Sequence, residues 1–342
     1  MRILDYIIPC LLGLSCLNAT EYFVAPSGSN TNSGTLEAPY ASIQFAANSM
    51  QFGDVCIIRG GTYHEEVVVS GKPQLTFRPY QDEIVILDGT APINSTWTIH
   101  QGSIYKTTLN EDIWQLFVDQ NEMIMARWPN ARFDDGTIWN QEENWAHGDE
   151  NASTNGAEVD DPHGDIVLAD LIFSVEGALA ILNTGSFRSY TKEVTGHTQG
   201  SNSFSFDPIP ESAYRTKHHY YFFENKLEFL DQPGEWFYDH ESMELYFWAP
   251  ENANPTGLNI RGKTQSYFFC GGNSNVFKIK GLNFFGTTFN IHNSNYSEVD
   301  SCNFMYPSCY KRMLGVTGVE PEMSRINSSS DCIVKRCSFQ YT

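Results

Sequence analysis

The sequence predicts an all-β fold made of short stacked coils and interrupted by a β-rich insert. Three observations carry this. Apolar runs of three or four residues recur at close spacing, bounded by turn residues, with no helices between most of them. A nine-residue pattern occurs three times towards the C-terminal end. Aromatic residues make up 14% of the 342 residues, with abundant Gly and Asn, a composition of strands and turns.

The elements follow in order. Residues 1–19 read as a secretory signal peptide: Arg2 is the positive start, Ile3 to Leu17 is mostly apolar though broken by Asp5, and Asn18-Ala19-Thr20 offers a small-residue exit. The apolar stretch is short for a spanning helix, so an extracellular protein with no membrane insertion after cleavage is expected. Residues 20–109 form the next block. Glu21-Tyr22-Phe23-Val24 is strand-like, and Ala25 to Thr35 is turn-rich. Pro39 to Met50 is a short helix with Ile43, Ala46, Ala47 and Met50 on one face. Val55 to Ile58 is a buried strand, Gly60 to Tyr63 a turn, and strands follow at Val67 to Val69, Leu75 to Arg78 and Ile84 to Leu87. Strands this close together suit one stacked sheet system better than βαβ units.

The runs Tyr22 to Gly28, Ala38-Pro39-Tyr40-Ala41-Ser42-Ile43-Gln44 and Gly53-Asp54-Val55 through Gly60-Gly61-Thr62-Tyr63 resemble the start of secreted proteins of the pectate-lyase-like superfamily. The resemblance implies a right-handed parallel β-helix whose short helix caps the open end. Phe52 departs from the Pro common before Gly-Asp, which bears only on the local turn. A second block, residues 110–255, holds Leu116-Phe117-Val118-Asp119, Ala126-Arg127-Trp128-Pro129-Asn130 and Leu227 to Asp239 followed by Leu245 to Pro250. These runs resemble the β-rich insert of some β-helix glycoside hydrolases.

Residues 256–342 return to coils. Lys278 to Gly286 aligns with Glu298 to Tyr306 and with Ile333 to Tyr341, at offsets of 20 and 35 residues. Ile279, Val299 and Val334 coincide, as do Leu282, Cys302 and Cys337, and Phe284, Phe304 and Phe339. Coils about 4.8 Å apart would stack these side chains into interior ladders. The longer offset implies an insertion between Tyr306 and Ser330. No capping segment precedes Thr342, so continuation into further coils is expected.

A net charge of −20 disfavours nucleic acid and anionic membranes as partners. It disfavours a polyanionic sugar only weakly, because a local basic patch acts against the total. The densest basic stretch lies in and beyond the Pro307–Ser330 insertion: Lys311, Arg312, Arg325, Lys335 and Arg336. With Asp300 they are the candidate substrate-binding residues for a carboxylated or sulfated sugar. A lyase would use such a cation to neutralise a uronate and take its C5 proton; the plain alternative is a solvated loop. A glycosidase needs two facing carboxylates. Glu298, Asp300, Glu320, Glu322 and Asp331 are available, and spacing singles out no catalytic pair. Alternation points Asp300 outward.

Six cysteines follow the signal, without zinc spacing, and no metal or cofactor is expected. The acidic loop Asp134 to Asp165 holds Ca²⁺-type ligands but no EF-hand spacing, so a hydrated loop is expected there. Cys309 and Cys332 flank the insertion and are the candidate disulfide. Trp139 and Trp145 are the expected exposed indoles, suited to stacking on sugars. His218-His219 reads as a strand-edge pair. The function expected is that of a monomeric secreted protein acting on a polysaccharide, as glycoside hydrolase or polysaccharide lyase. A non-catalytic glycan-binding module, or an inactive N-terminal fragment, is the alternative.

Overall fold

The computed structural model describes residues 19–341, apart from 73, 150–155, 185–188, 210–218, 274–275 and 317–320. Residues 1–18 of the expected signal, Glu320 and His218 lie outside the described residues. No described helix is long and apolar enough to cross a membrane.

The fold is predominantly β, as expected. Its described strands form three sheets parallel throughout and two that are antiparallel apart from one strand pair. Sheet A orders Glu21–Val24, Val55–Ile58, Thr76–Pro79, Lys278–Lys280, Glu298–Asp300 and Ile333–Lys335. Sheet B orders Gly61–Tyr63, Val85–Asp88, Asn283–Phe285, Asn303–Met305 and Ser338–Gln340. Sheet C orders Arg325–Asn327, Thr288–His292, Tyr267–Gly272 and Val67–Ser70. From Val55 onward the described strands of these sheets follow one another in the order A, B, C, with the insert interposed once between B and C. Gly60 to Tyr63, expected as a turn, therefore supplies a sheet B strand.

The repeat has the register read from its spacing. Ile279 pairs with Val299 and Val299 with Val334, while Phe284 pairs with Phe304 and Phe304 with Phe339. The Phe284 and Phe304 rings stack at 4.4 Å, and those of Phe304 and Phe339 at 4.6 Å. Phe77 and Leu87 extend the same rows into the earlier coils. One core thus runs through all three parallel sheets. Between A and B the chain turns through a left-handed residue in each repeat, Gly281, Ser301 and then Arg336, at φ 65°, 55° and 54°. The amides of Gly281 and Ser301 donate to Asp300 and Lys335 in the next coil, so the turns also belong to the ladder.

Helix Ile43–Ser49 covers one end of this core with Ile43, Ala46 and Ala47. Both its ends are capped from the first coil. The Glu65 carboxylate accepts from the Ile43 and Gln44 amides at 2.8 and 2.9 Å, and Lys72 Nζ donates to the Ala47, Asn48 and Met50 carbonyls. An acid at the N-terminus and a cation at the C-terminus match the helix dipole.

The other two sheets carry the insert, and strand pairing extends it beyond 110–255. Thr90–Pro92 pairs with Ile260–Lys263, and Thr98–Gln101 and Ile104–Thr108 join the eight-stranded sheet. Residues 90–108, expected with the first coils, thus join the sheet of the insert: Ile104–Thr108 pair with strand Glu244–Trp248, some 140 residues away in sequence, and Thr98–Gln101 pair with Ile104–Thr108. Its ends meet at Gly89, whose carbonyl accepts from the Thr264 and Gln265 amides. A Cβ at Gly89 would lie 2.5 Å from the Gly286 carbonyl oxygen, so only glycine fits that crossing. The seven-stranded sheet of the insert packs Tyr221, Phe223, Phe204 and Leu182 into a second core.

Candidate functional site

The insert and the long loop leave the coils at one corner, between sheets B and C. In the coil between them, only Gly286 and Thr287 make that connection. The insert replaces it after Asp88, and residues 306–324 replace it after Met305. Two strand spacings, roughly 10 Å, separate the two exits.

The segments lock together there. Tyr306 packs on Phe117 at 4.9 Å and its hydroxyl donates to the Gln120 carbonyl at 3.0 Å. Lys263, wholly buried, donates from Nζ to the Tyr306 carbonyl at 3.1 Å. Cys309 and Met313 of the loop enter the apolar cluster of Trp114 and Trp236. Lys311 Nζ lies 4.0 Å above the Trp114 ring and 3.1 Å from Glu322. Glu322 is also hydrogen-bonded to the Ser266 hydroxyl. Arg312 grips Glu224 through Nε at 2.9 Å and Nη2 at 2.7 Å, both side chains largely buried.

Burial sets the electrostatics of this corner. It pushes the Glu122 carboxyl up to about 7, against the opposing pull of Gln115 and Lys263. It lowers Lys263, while Cys309 and Glu122 act the other way. Arg127, paired across the strands with Glu224, is pushed down to about 10 by burial; Glu224 raises it and Arg312 lowers it. Elsewhere in the insert, burial lifts Glu235 to about 8, helped by Asp231, although Glu235 accepts two backbone N–H groups.

The six candidate residues do not form one site. Lys311 and Arg312 are at the corner. Arg325 lies on a sheet C strand, which the expected insertion contains, and donates to the Pro321 carbonyl. Asp300, Lys335 and Arg336 lie on or beside sheet A. Asp300 points out of the coil but is not solvent-exposed: Arg336 covers it, donating from Nε at 2.8 Å, and holds its pKa down at about 2. Lys335 meets Glu298 at 2.7 Å, alongside Lys280 at 3.2 Å. Lys311, Arg312, Lys335 and Arg336 are therefore each opposed by a carboxylate.

Other expectations are corrected. Cys309 and Cys332 are both free: Cys309 is buried in the apolar cluster of Trp114 and Trp236, while Cys332 Sγ donates to the Ser294 carbonyl. The loop expected to be hydrated buries Glu158 beside His219 and Asp160 beneath the Tyr221 hydroxyl, because strand Ala157–Val159 joins a sheet. His219 lies on a central strand, paired with Thr184, rather than at a sheet edge. Trp139 is exposed, but Trp145 is buried against Phe222. Glu224, Lys263, Glu122 and Trp114 escaped the sequence reading. Only Glu224 carried a signal, as the acid ending the apolar run His219–Glu224.

Comparison with known proteins adds context. Residues 97–250 match the GH141 insertion domain. The chain is 38% identical over 80 residues to the uncharacterized protein YwoF of Bacillus subtilis, covering 22% of this chain and 17% of that one. It is 36% identical over 77 residues to pectate lyase PEL9 of Emericella nidulans, covering 21% of this chain and 19% of that one. The chain thus spans under a fifth of the curated relatives it matches. A solved structure described as a glycoside hydrolase superposes with a TM-score of 0.63 at 16% identity, over 84% of this chain and 63% of that one. The structural likeness establishes a shared predominantly β fold, into which a segment like the GH141 insertion domain is set.

Proposed function

We propose that the chain belongs to a secreted carbohydrate-active protein, and that its three parallel sheets are one right-handed parallel β-helix acting on a polysaccharide as a glycoside hydrolase. The observation that favours hydrolysis over elimination is that Lys311, Arg312, Lys335 and Arg336 are engaged in ion pairs. A lyase needs cations free to face a uronate and a base held near it. Here Arg312, Lys311, Lys335 and Arg336 are opposed by Glu224, Glu322, Glu298 and Asp300. The likeness of residues 97–250 to the GH141 insertion domain supports the same reading. A screen of the purified full chain on neutral and anionic polysaccharides tests it. New saturated reducing ends are expected. Unsaturated uronate ends would replace hydrolysis with elimination, and binding without cleavage would leave a glycan-binding module.

A further inference from the structure

We infer that the turn carrying Trp139 is a binding platform for neutral pyranose chains. Trp139 is 71% exposed, and no other described tryptophan is among the exposed large apolar residues. Phe133, 41% exposed, lies 6.4 Å from it. A mobile tail would leave an indole exposed by default, but this backbone is tied by hydrogen bonds within the turn and to neighbouring segments. The Asp135 carboxylate accepts from the Thr137 amide at 2.9 Å and from its hydroxyl at 2.6 Å. The Thr137 hydroxyl accepts from the Arg132 amide, and the Ile138 amide donates to the Arg132 carbonyl. Trp145 Nε1 donates to the Ile138 carbonyl from below. Asn130 and Arg132 tie the start of the turn to Asp231 and the Pro233 carbonyl.

The ring is thus presented by a rigid frame, which lowers the entropic cost of binding. An indole face carries negative charge in its quadrupole, and the C–H groups on one face of a pyranose meet it favourably. The surroundings select among sugars. Asp134, Asp135, Glu142 and Glu143 are exposed, and with Arg132 they leave residues 130–145 three charges negative. They accept hydrogen bonds from hydroxyls and repel uronates and sulfates. The occupant is therefore a neutral chain.

This inference rests on the glycan reading above but not on hydrolysis. Affinity electrophoresis of the full chain in gels containing xylan, galactomannan or hydroxyethylcellulose, with polygalacturonate and chondroitin sulfate as anionic counterparts, tests it. Retardation is expected in at least one neutral gel. Trp139→Ala should weaken that affinity by about 10-fold or more, and Phe133→Ala by less, with circular dichroism unchanged. Equal retardation of parent and Trp139→Ala would overturn the platform while leaving the glycan reading in place. Trp139-dependent retardation confined to the anionic gels would overturn the neutral assignment, and no retardation in any gel would overturn both.

Discussion

Removing Arg312 tests whether the insert is held in place by charge at the corner. Its guanidinium is 14% exposed and Glu224 9%, and two nitrogens of Arg312 reach that carboxylate at 2.7–2.9 Å. Breaking such a pair by deleting one partner costs about 3–5 kcal/mol, because the survivor is left desolvated and uncompensated. Glu224 has a second cation, Arg127, opposite it across the strands. Arg312→Ala should therefore fall short of the full penalty, at about 2–3 kcal/mol. Glu224→Gln leaves Arg127 and Arg312 together without a counter-charge and should cost about 3–5 kcal/mol. Urea denaturation of both variants and the double mutant measures this. The cycle should give a coupling above about 1 kcal/mol. Limited proteolysis should cut residues 306–324 sooner in Arg312→Ala. A loss within about 0.5 kcal/mol of the parent, or a larger loss for Arg312→Ala than for Glu224→Gln, would refute the reasoning.

Three further outcomes follow from the same structure. Asp300 is held at about 2, chiefly by Arg336, below the ordinary carboxylate value. That stabilisation is complete above about pH 4 and lost as pH falls towards about 2, so Arg336→Ala should flatten the acid limb of a Tm–pH curve there. Glu235 is raised to about 8, so its contribution is complete below about pH 4 and lost as pH climbs through 8; Glu235→Gln should gain on the parent in Tm between about pH 5 and pH 9. Phe304, fully buried between Phe284 and Phe339, should cost about 3–5 kcal/mol on truncation to Ala in urea, whereas Phe339→Ala, 41% exposed, should cost less than half of that.

The coils were legible because their physics is local. A side chain's place in a ladder follows from its place in the repeat, so aligning Ile279, Val299 and Val334 predicted their pairing directly. The helix was legible for the same reason: Ile43, Ala46 and Ala47 share a face at helical spacing. The insert was less so. Several of its strands pair antiparallel over long separations, so residues 104–108 fall in the block of first coils until their partners at 244–248 are known. The basic residues misled because like charges cluster visibly in sequence while their neutralising partners do not. Arg312 and Glu224 are 88 positions apart. Arg336, itself left-handed at φ 54°, reaches Asp300, 36 positions back.

The corner also shows why an insert need not rely on apolar contact alone to find its place. Phe117, Phe285 and Tyr306 would tolerate small shifts, since ring packing is weakly directional compared with a bidentate bond. The Arg127–Glu224–Arg312 group would not, because any displacement of the loop leaves buried charge without its partner. Lys263 adds a second constraint, with its ammonium satisfied by the Tyr306 carbonyl that begins the loop. Desolvation therefore penalises wrong seatings more than ion pairing rewards the right one. The insert and loop share an exit corner, and these buried charges set their relative position.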